Sequence, residues 1–145
     1  MNINIIPAAG NDIPFITALL LDADLPPDDL ETWIDNFLLL SVEGKTVGCI
    51  GLEIWGKVGL LRSFVISEEY RSKGLGIKLY NRLMDLAKEM KLTTVLLLVK
   101  GASIFFQKNG FKFIDRNEVP ESVKKSIQFK LEECREYDVM KLAIN

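Results

Sequence analysis

The sequence contains no histidine, which limits the chemistry that its side chains can perform. Catalytic pairs in which histidine activates serine or cysteine are excluded, and so is every metal site that needs an imidazole ligand. Any general base must be a carboxylate, a tyrosine, a lysine or an ordered water. The two cysteines, Cys49 and Cys134, are too few for a disulfide framework. We therefore expect neither a metal ion nor a nucleophilic residue of the protein in the reaction.

Long hydrophobic runs and an excess of positive charge are also missing. No apolar run reaches the ~18 residues of a membrane span, and the N-terminus lacks the pattern of a signal peptide. The net charge of −2 indicates no basic surface for DNA or RNA. A length of 145 residues, 48% hydrophobic and 26% charged, is typical of one globular domain. We expect a single domain over residues 1–145, cytoplasmic, with no membrane or nucleic-acid partner.

The apolar patterns predict a mixed α/β (α+β) domain with seven strands. The predicted strands cover residues 2–7, 37–42, 46–55, 60–66, 94–99, 111–114 and 138–144. The predicted helices cover residues 12–21, 28–34, 74–90, 101–108 and 120–130. The sequence is compatible with two turns between the third and fourth strands. A four-residue turn places Glu53 opposite Arg62, and a tighter turn at Gly56-Lys57 places Glu53 opposite Leu60. Simple alternation places Leu60, Arg62, Phe64 and Ile66 on one face of the fourth strand.

A basic, glycine-containing loop between the fourth strand and the long helix is the most informative segment. It reads Arg71-Ser72-Lys73-Gly74-Leu75-Gly76. Glycines allow close approach of a ligand to the backbone, and the first N–H groups of a helix can donate to phosphate oxygens. A Walker A loop would need Gly-Lys-Ser/Thr, and a dinucleotide fingerprint would need a small residue where Leu79 stands. The loop therefore predicts a diphosphate site, with an ordinary turn as the alternative.

The pattern R-x-x-G-x-G after a strand resembles the acetyl-CoA loop of the GNAT superfamily of N-acetyltransferases. The order of predicted elements resembles the GNAT fold over essentially the whole chain, and residues 102–111 (ASIFFQKNGF) resemble the family's A-x-x-x-[YF]-x-k-x-G-F segment. Residues 47–53, 60–66 and 115–120 are similar to the arsenic-operon-associated N-acetyltransferases and to the acetyltransferase domain of N-acetylglutamate synthase. The chain departs from that group at residues 99–101 and 132–134, near the expected substrate site.

This resemblance implies acetyl-CoA as co-substrate and a mostly antiparallel sheet that splays between strands four and five. The basic loop would bind the diphosphate, while the backbone of residues 64–66 would pair with pantetheine and donate an N–H to the oxyanion. The alternative for the side chains of that strand is that they only pack in the hydrophobic core and do not contact the cofactor. The implied cofactor-binding residues are Phe64, Val65, Ile66, Arg71, Ser72, Lys73, Gly74, Leu75, Gly76, Ile77 and Phe106.

The catalytic groups are harder to assign from the sequence. Glu53 is the candidate general base, and its alternatives are an outward-facing position or a partnership with Arg62. Many GNAT enzymes protonate the leaving thiolate with a tyrosine, but the matching residue here is Phe106. Ser103, a water or the N-terminal charge of the helix at 101–108 could replace it. Arg62 is the candidate for binding a substrate carboxylate, with an internal ion pair to Glu53 or exposure at a strand end as alternatives.

The resemblance implies acetyl transfer from acetyl-CoA to the primary amine of a small molecule, such as an amino acid or an analogue, by direct attack. A non-catalytic acetyl-CoA-binding module of the same fold is the alternative. The acidic loop at residues 22–29 borders the acceptor site in this fold and could attract a cationic amine. The acceptor and the oligomeric state are open, with a homodimer among the options.

Overall fold

One seven-stranded sheet organises the protein in the computed structural model, which describes residues 1–101 and 103–145. The strand order is β1-β2-β3-β4-β5-β7-β6, and every neighbouring pair is antiparallel except β4 and β5. The strands are β1 (Ile3–Pro7), β2 (Phe37–Val42), β3 (Lys45–Trp55), β4 (Val58–Ile66), β5 (Thr94–Val99), β6 (Lys112–Ile114) and β7 (Asp138–Ala143). This confirms the predicted mixed, mostly antiparallel sheet.

The hairpin between β3 and β4 uses the tighter of the two predicted turns. Trp55 pairs with Val58 and Glu53 pairs with Leu60, so only Gly56 and Lys57 connect the strands. Gly56 has a φ of 65°, which a two-residue hairpin turn requires at its first position and which glycine adopts without a steric penalty. The register places Glu53 on the same face as Gly51 and Trp55, as alternation along the strand predicted.

The parallel pairing of β4 with β5 is short. It joins Val58–Leu61 to residues 94–97, and the remainder of β4 separates from β5. The predicted splay is therefore confirmed, and one edge of residues 62–66 is left without a strand beside it.

A bulge in β4 makes the predicted alternation of its side chains wrong after Arg62. Ser63 has a φ of 59°, in the left-handed region, and the register with β3 shifts at the same level. Phe64 and Ile66 consequently pack with Leu61 against the core on one side of the sheet. Arg62 lies on the opposite side, over the ring of Phe37.

Five α-helices flank the sheet in the described residues. They are α1 (Ile13–Asp22), α2 (Leu30–Trp33), α3 (Leu75–Glu89), α4 (Ile104–Lys108) and α5 (Ile127–Lys130). The long amphipathic α3 buries its apolar stripe against one face, while α1 and α2 cover part of the other. A third apolar cluster, Leu60, Leu96, Val119, Val123 and Val139, lies beneath the segment that leads to α5. None of these helices is long and apolar enough to span a bilayer, within the described residues.

The continuous helix predicted over residues 120–130 is wrong. A 3-10 turn, Val123–Lys125, is followed by Ser126 with φ −57° and ψ 140°, and only then by α5. The hydroxyl of Ser126 accepts a hydrogen bond from the backbone N–H of Gln128, so it caps a new helix instead of continuing the old one. Ala102, which belongs to the predicted helix at 101–108 and to the ASIFFQKNGF segment, lies outside the described residues.

Candidate active site

The separation of β4 from β5 opens a cleft of about 460 Å³. The residues along β4 and β5 form its walls, and α4, the loop after α1 and the residue before β7 close it. The lining residues are Ala23, Asp24, Leu25, Leu61, Arg62, Ser63, Phe64, Leu98, Val99, Lys100, Phe105, Phe106 and Tyr137. A smaller recess of about 50 Å³ lies beside this cleft, and Arg62 and Tyr137 line both cavities.

The bulge at Ser63 lies on the wall of the cleft and is held by two hydrogen bonds. The Nε of Arg62 donates to the Ser63 hydroxyl at 3.0 Å, and the thiol of Cys49 donates to the Ser63 carbonyl at 3.2 Å. Burial, partly offset by the charge of Arg62, raises the pKa of Cys49 to about 12, so the thiol retains the proton that it donates. A non-glycine residue with positive φ persists only where its surroundings enforce it. Ser63 and the next residue, Phe64, both line the cleft.

Arg62 and Glu53 form a buried ion pair behind the bulge. The Nη1 of Arg62 lies 2.9 Å from the Oε2 of Glu53, and the two side chains are 1% and 0% exposed. The other carboxylate oxygen accepts the indole N–H of Trp55 at 3.0 Å, and the Nη2 of Arg62 donates to the carbonyl of Asp28 at 2.6 Å. This is the ion-pair alternative that the sequence left open. Arg62 still lines the cleft, whereas Glu53 is not among its lining residues.

A shallower groove of about 330 Å³ continues from the cleft along the free edge of β4. Its lining residues are Ala23, Leu25, Phe64, Val65, Ile66 and Arg71. It therefore joins the predicted pantetheine strand to the first residue of the predicted diphosphate loop. Five of these lining residues are apolar and the sixth is cationic, which suits an extended chain that ends in a negatively charged group, as pantetheine diphosphate does.

The basic loop has the geometry expected of an anion site at the start of a long helix. Ser72 and Gly74 have φ values of 63° and 77°, and Gly74 immediately precedes α3. The Nε of Arg71 donates to the carbonyl of Ile66 at 2.7 Å, which fixes the loop to the end of β4. A Cβ added to Gly76 would lie 3.6 Å from the ring of Phe64, within ordinary contact distance. The fold itself therefore has room for a side chain at Gly76.

Phe106 is buried in an aromatic cluster beside the cleft. Its ring lies 5.3 Å from that of Phe105, 6.3 Å from Phe64 and 5.6 Å from Phe111. Ser103 directly precedes α4 and is half-buried, but it is not among the residues that line the cleft. The structure thus brings Phe106, but not Ser103, to the predicted site.

Two polar residues of the site were not found from the sequence. Tyr137 lines both the cleft and the recess, and Gln128 lines the recess. Partial burial, reinforced by Cys134, Glu133 and Asp24, raises the pKa of the Tyr137 phenol, so it holds its proton at neutral pH. Both residues lie in the C-terminal third of the chain, and no motif or spacing there signalled the cleft.

The mouth of the cleft is acidic. Asp24 and Lys100 line the cleft itself, and a neighbouring cavity of about 360 Å³ is lined by Glu132, Glu133, Glu136, Lys100, Arg135 and Tyr137, so four carboxylates stand against two cations. Carboxylates at a cleft entrance raise the local concentration of cations such as an alkylammonium. Over the described ranges, no cluster of three or more potential protein ligands for a metal ion was found.

Comparison with known proteins matches the chain to one protein family. The family model for the acetyltransferase (GNAT) domain matches residues 33–113, more than half of the chain. The amino-acid acetyltransferase of Salmonella arizonae is 29% identical over 104 residues, which cover 70% of this chain and 24% of that protein. The chain therefore spans about a quarter of the length of the curated relatives that it matches.

Solved structures have the same fold. N-acetylglutamate synthase from Neisseria gonorrhoeae, complexed with coenzyme A and N-acetyl-glutamate, superposes with a TM-score of 0.86 at 21% identity, over 100% of this chain and 36% of that one. Rv2747 from Mycobacterium tuberculosis, in complex with CoA and NLQ, superposes with a TM-score of 0.80 at 21% identity, over 98% of this chain and 99% of that one.

Proposed function

The chain belongs to the GNAT acetyltransferase family, and on this basis we propose that it transfers the acetyl group of acetyl-CoA to the primary amine of a small molecule such as an amino acid. The observation that carries this proposal is the continuity of three features along β4. The cleft and the groove share Ala23, Leu25 and Phe64 as lining residues, and Arg71, the first residue of the basic loop, lines the other end of the groove. We also propose that residues 1–145 act as one catalytic domain, since strands from both ends of the chain share the sheet.

The basic loop and groove would hold acetyl-CoA. The N–H groups at the start of α3, together with Arg71 and Lys73, would bind the diphosphate. The unpaired edge of residues 64–66 would receive the pantetheine amides in the manner of an added strand. The thioester would then lie beside the bulge, where a backbone N–H of this segment would donate to the oxyanion. Removal of one such donor typically costs ~10²–10³ in rate.

The acceptor amine would attack the thioester carbon directly. The ammonium first loses a proton to water, the amine attacks, and the C–N bond forms. The tetrahedral intermediate then expels the CoA thiolate as the C–S bond breaks, and its nitrogen loses a second proton, which replaces the one that the thiolate takes up. Asp24 and the acidic mouth would attract the ammonium form, and ordered water would carry its proton out. We propose that Glu53 acts as a positioning residue, because both of its carboxylate oxygens are bonded by Arg62 and Trp55.

Arg62 would present hydrogen-bond donors to the acceptor rather than free charge. A guanidinium has five N–H groups, and three are used by Ser63, Glu53 and Asp28, which leaves two for a ligand. The positive charge itself is balanced by the carboxylate of Glu53. An acceptor oxygen, including a carboxylate oxygen, could bind these two N–H groups.

Tyr137 would protonate the leaving thiolate. It lines the cleft, its phenol is protonated at neutral pH, and Phe106 has no proton to give. Ser103 is a weaker candidate because it is not among the lining residues.

The proposal is tested by following release of the CoA thiol from acetyl-CoA with a panel of primary amines. Amine-dependent release, with the acetylated product identified by mass spectrometry, supports acetyl transfer. Tight binding of acetyl-CoA without turnover on any amine would instead indicate a non-catalytic binding module of the same fold.

A further inference from the structure

The recess beside the cleft has a mostly apolar wall that also carries four polar or charged residues. Its lining residues are Leu25, Pro26, Leu60, Leu61, Arg62, Ser63, Leu98, Gln128 and Tyr137. It is an inward extension of the main cleft, because six of these residues line both cavities. An acceptor whose amine faces the thioester could therefore extend its other end toward Gln128.

The side chain of Gln128 is buried, and its amide N–H donor has no hydrogen-bond partner among the described residues. The residue is 8% exposed, and the donor atom is Nε2. The bond from its backbone N–H to the hydroxyl of Ser126 caps α5 and does not involve the carboxamide. A buried donor without a partner lowers the stability of the fold. If this position contributed only packing, an apolar side chain would make the protein more stable.

The charges around the recess favour an uncharged ligand group. Arg62 is the cationic residue that lines it, and its charge is balanced by Glu53 at 2.9 Å. The remaining walls are apolar except for the hydroxyls of Ser63 and Tyr137. A carboxylate placed beside Gln128 would be buried without an unpaired cation. A carbonyl oxygen would need only the N–H donor of the Gln128 carboxamide, which a rotation of that amide would turn toward the recess.

We propose that Gln128 is a specificity-determining residue that selects acceptor amines carrying an uncharged, hydrogen-bond-accepting oxygen, above all a primary carboxamide. The proposal rests on the acetyl-transfer function proposed above. A carboxamide also has its own N–H groups, which the Oε1 of Gln128 can accept, so the two amides can exchange a pair of hydrogen bonds. Sites that hydrogen-bond a polar group discriminate strongly against analogues that lack it.

Kinetics with matched acceptors test this selection. The acceptors are asparagine and glutamine, their isosteres leucine and homoleucine, in which the carboxamide is replaced by an apolar branch, and aspartate and glutamate. We expect wild-type kcat/KM to be at least ~10-fold higher for a carboxamide than for its isostere or for the matching carboxylate. Gln128→Met keeps the side-chain length but removes the amide, so KM for the carboxamides should rise ~10-fold or more while kcat and the isosteres change little.

Thermal stability shows whether the carboxamide of Gln128 makes a hydrogen bond within the fold. Removal of an unpartnered buried amide should raise the melting temperature of Gln128→Met by about 2–4 °C. The matched control is Gln107→Met at an exposed position of α4, which should alter neither the melting temperature nor the acceptor preference.

The possible results separate the inference from the function on which it rests. Turnover with equal acceptor preferences in wild type and Gln128→Met would refute the role of Gln128 and leave acetyl transfer intact. A wild-type preference for carboxylates over carboxamides, or a lower melting temperature for Gln128→Met, would also overturn it. Absence of turnover on every amine would refute the proposed function itself, and with it the selection.

Discussion

Gly76 offers a substitution that should separate cofactor binding from folding. It is the second residue of α3, and a Cβ built on it would contact Phe64 at 3.6 Å and Ile66 at 3.9 Å without a clash. Its φ lies outside the left-handed region, in contrast to that of Gly74 at 77°. The fold therefore does not require glycine at this position. The requirement would come from acetyl-CoA, whose phosphates need to approach the backbone N–H groups closely.

The expected effects have opposite signs. Gly76→Ala should leave the free energy of unfolding unchanged or raise it by up to about 1 kcal/mol, because alanine is the better helix former. The added methyl group should keep a diphosphate from its hydrogen-bonding distance and weaken acetyl-CoA binding by at least ~10-fold, or about 1.4 kcal/mol. Gly76→Val, with a larger side chain, should weaken binding further.

Isothermal titration with acetyl-CoA and urea unfolding without ligand measure the two quantities separately. Gly10→Ala is a suitable control, because Gly10 has open space around it and lies before α1, away from the loop. Its acetyl-CoA affinity should equal that of wild type. Unchanged affinity in a folded Gly76→Val protein would show that the loop does not bind the diphosphate in the proposed way.

Four further outcomes are expected. Arg62→Ala should lower the free energy of unfolding in urea by about 3–5 kcal/mol, because the buried Glu53 carboxylate loses its partner. Adding Glu53→Gln to this variant should recover part of the loss. An Arg62→Ala protein as stable as wild type would contradict the buried ion pair. Glu53→Gln alone should leave the shape of the pH–rate profile unchanged, whereas loss of one titration would restore Glu53 as the general base. Tyr137→Phe should lower kcat by about 10²-fold without changing acetyl-CoA affinity, and undiminished turnover would exclude Tyr137 as proton donor. The pKa of Cys49 rises from 9.0 to about 12 on folding, so its stabilising effect is complete below pH 9 and is lost toward pH 12. Melting temperatures measured from about pH 8 to 11 should therefore fall less steeply for Cys49→Ala than for wild type, and equal slopes would contradict a buried, protonated thiol.

The strands were largely predictable from the sequence because each is an apolar run between polar turns. The bounds of β2 and β5 agree with the predicted ranges, and the tight turn at Gly56 was one of two registers considered. The helix predicted at 120–130 failed for a local reason, since Ser126 offers its hydroxyl to the backbone and ends one helical segment before the next begins.

The site was predictable only where a local motif carries it. The basic loop and its neighbouring strand could be recognised from adjacent residues, and the structure brings both to one groove. The bulge at Ser63 has no signature in a strand of ordinary residues, so the face of Phe64 was wrongly predicted. Tyr137 reaches the cleft, and Gln128 its recess, from the segment before β7, and long-range packing of that kind leaves no periodic signal.

The free edge of β4 in the middle of the sheet has a consequence for the abundance of the folded protein in a cell. Most sheets complete their backbone hydrogen bonding internally, but in the proposed binding mode that edge would be completed by a metabolite whose concentration varies. A ligand that binds only the folded state stabilises it by mass action, by about 2.7 kcal/mol at 100 times its dissociation constant. The unliganded chain would be unfolded and degraded more often, so its lifetime would follow the supply of acetyl-CoA and free CoA.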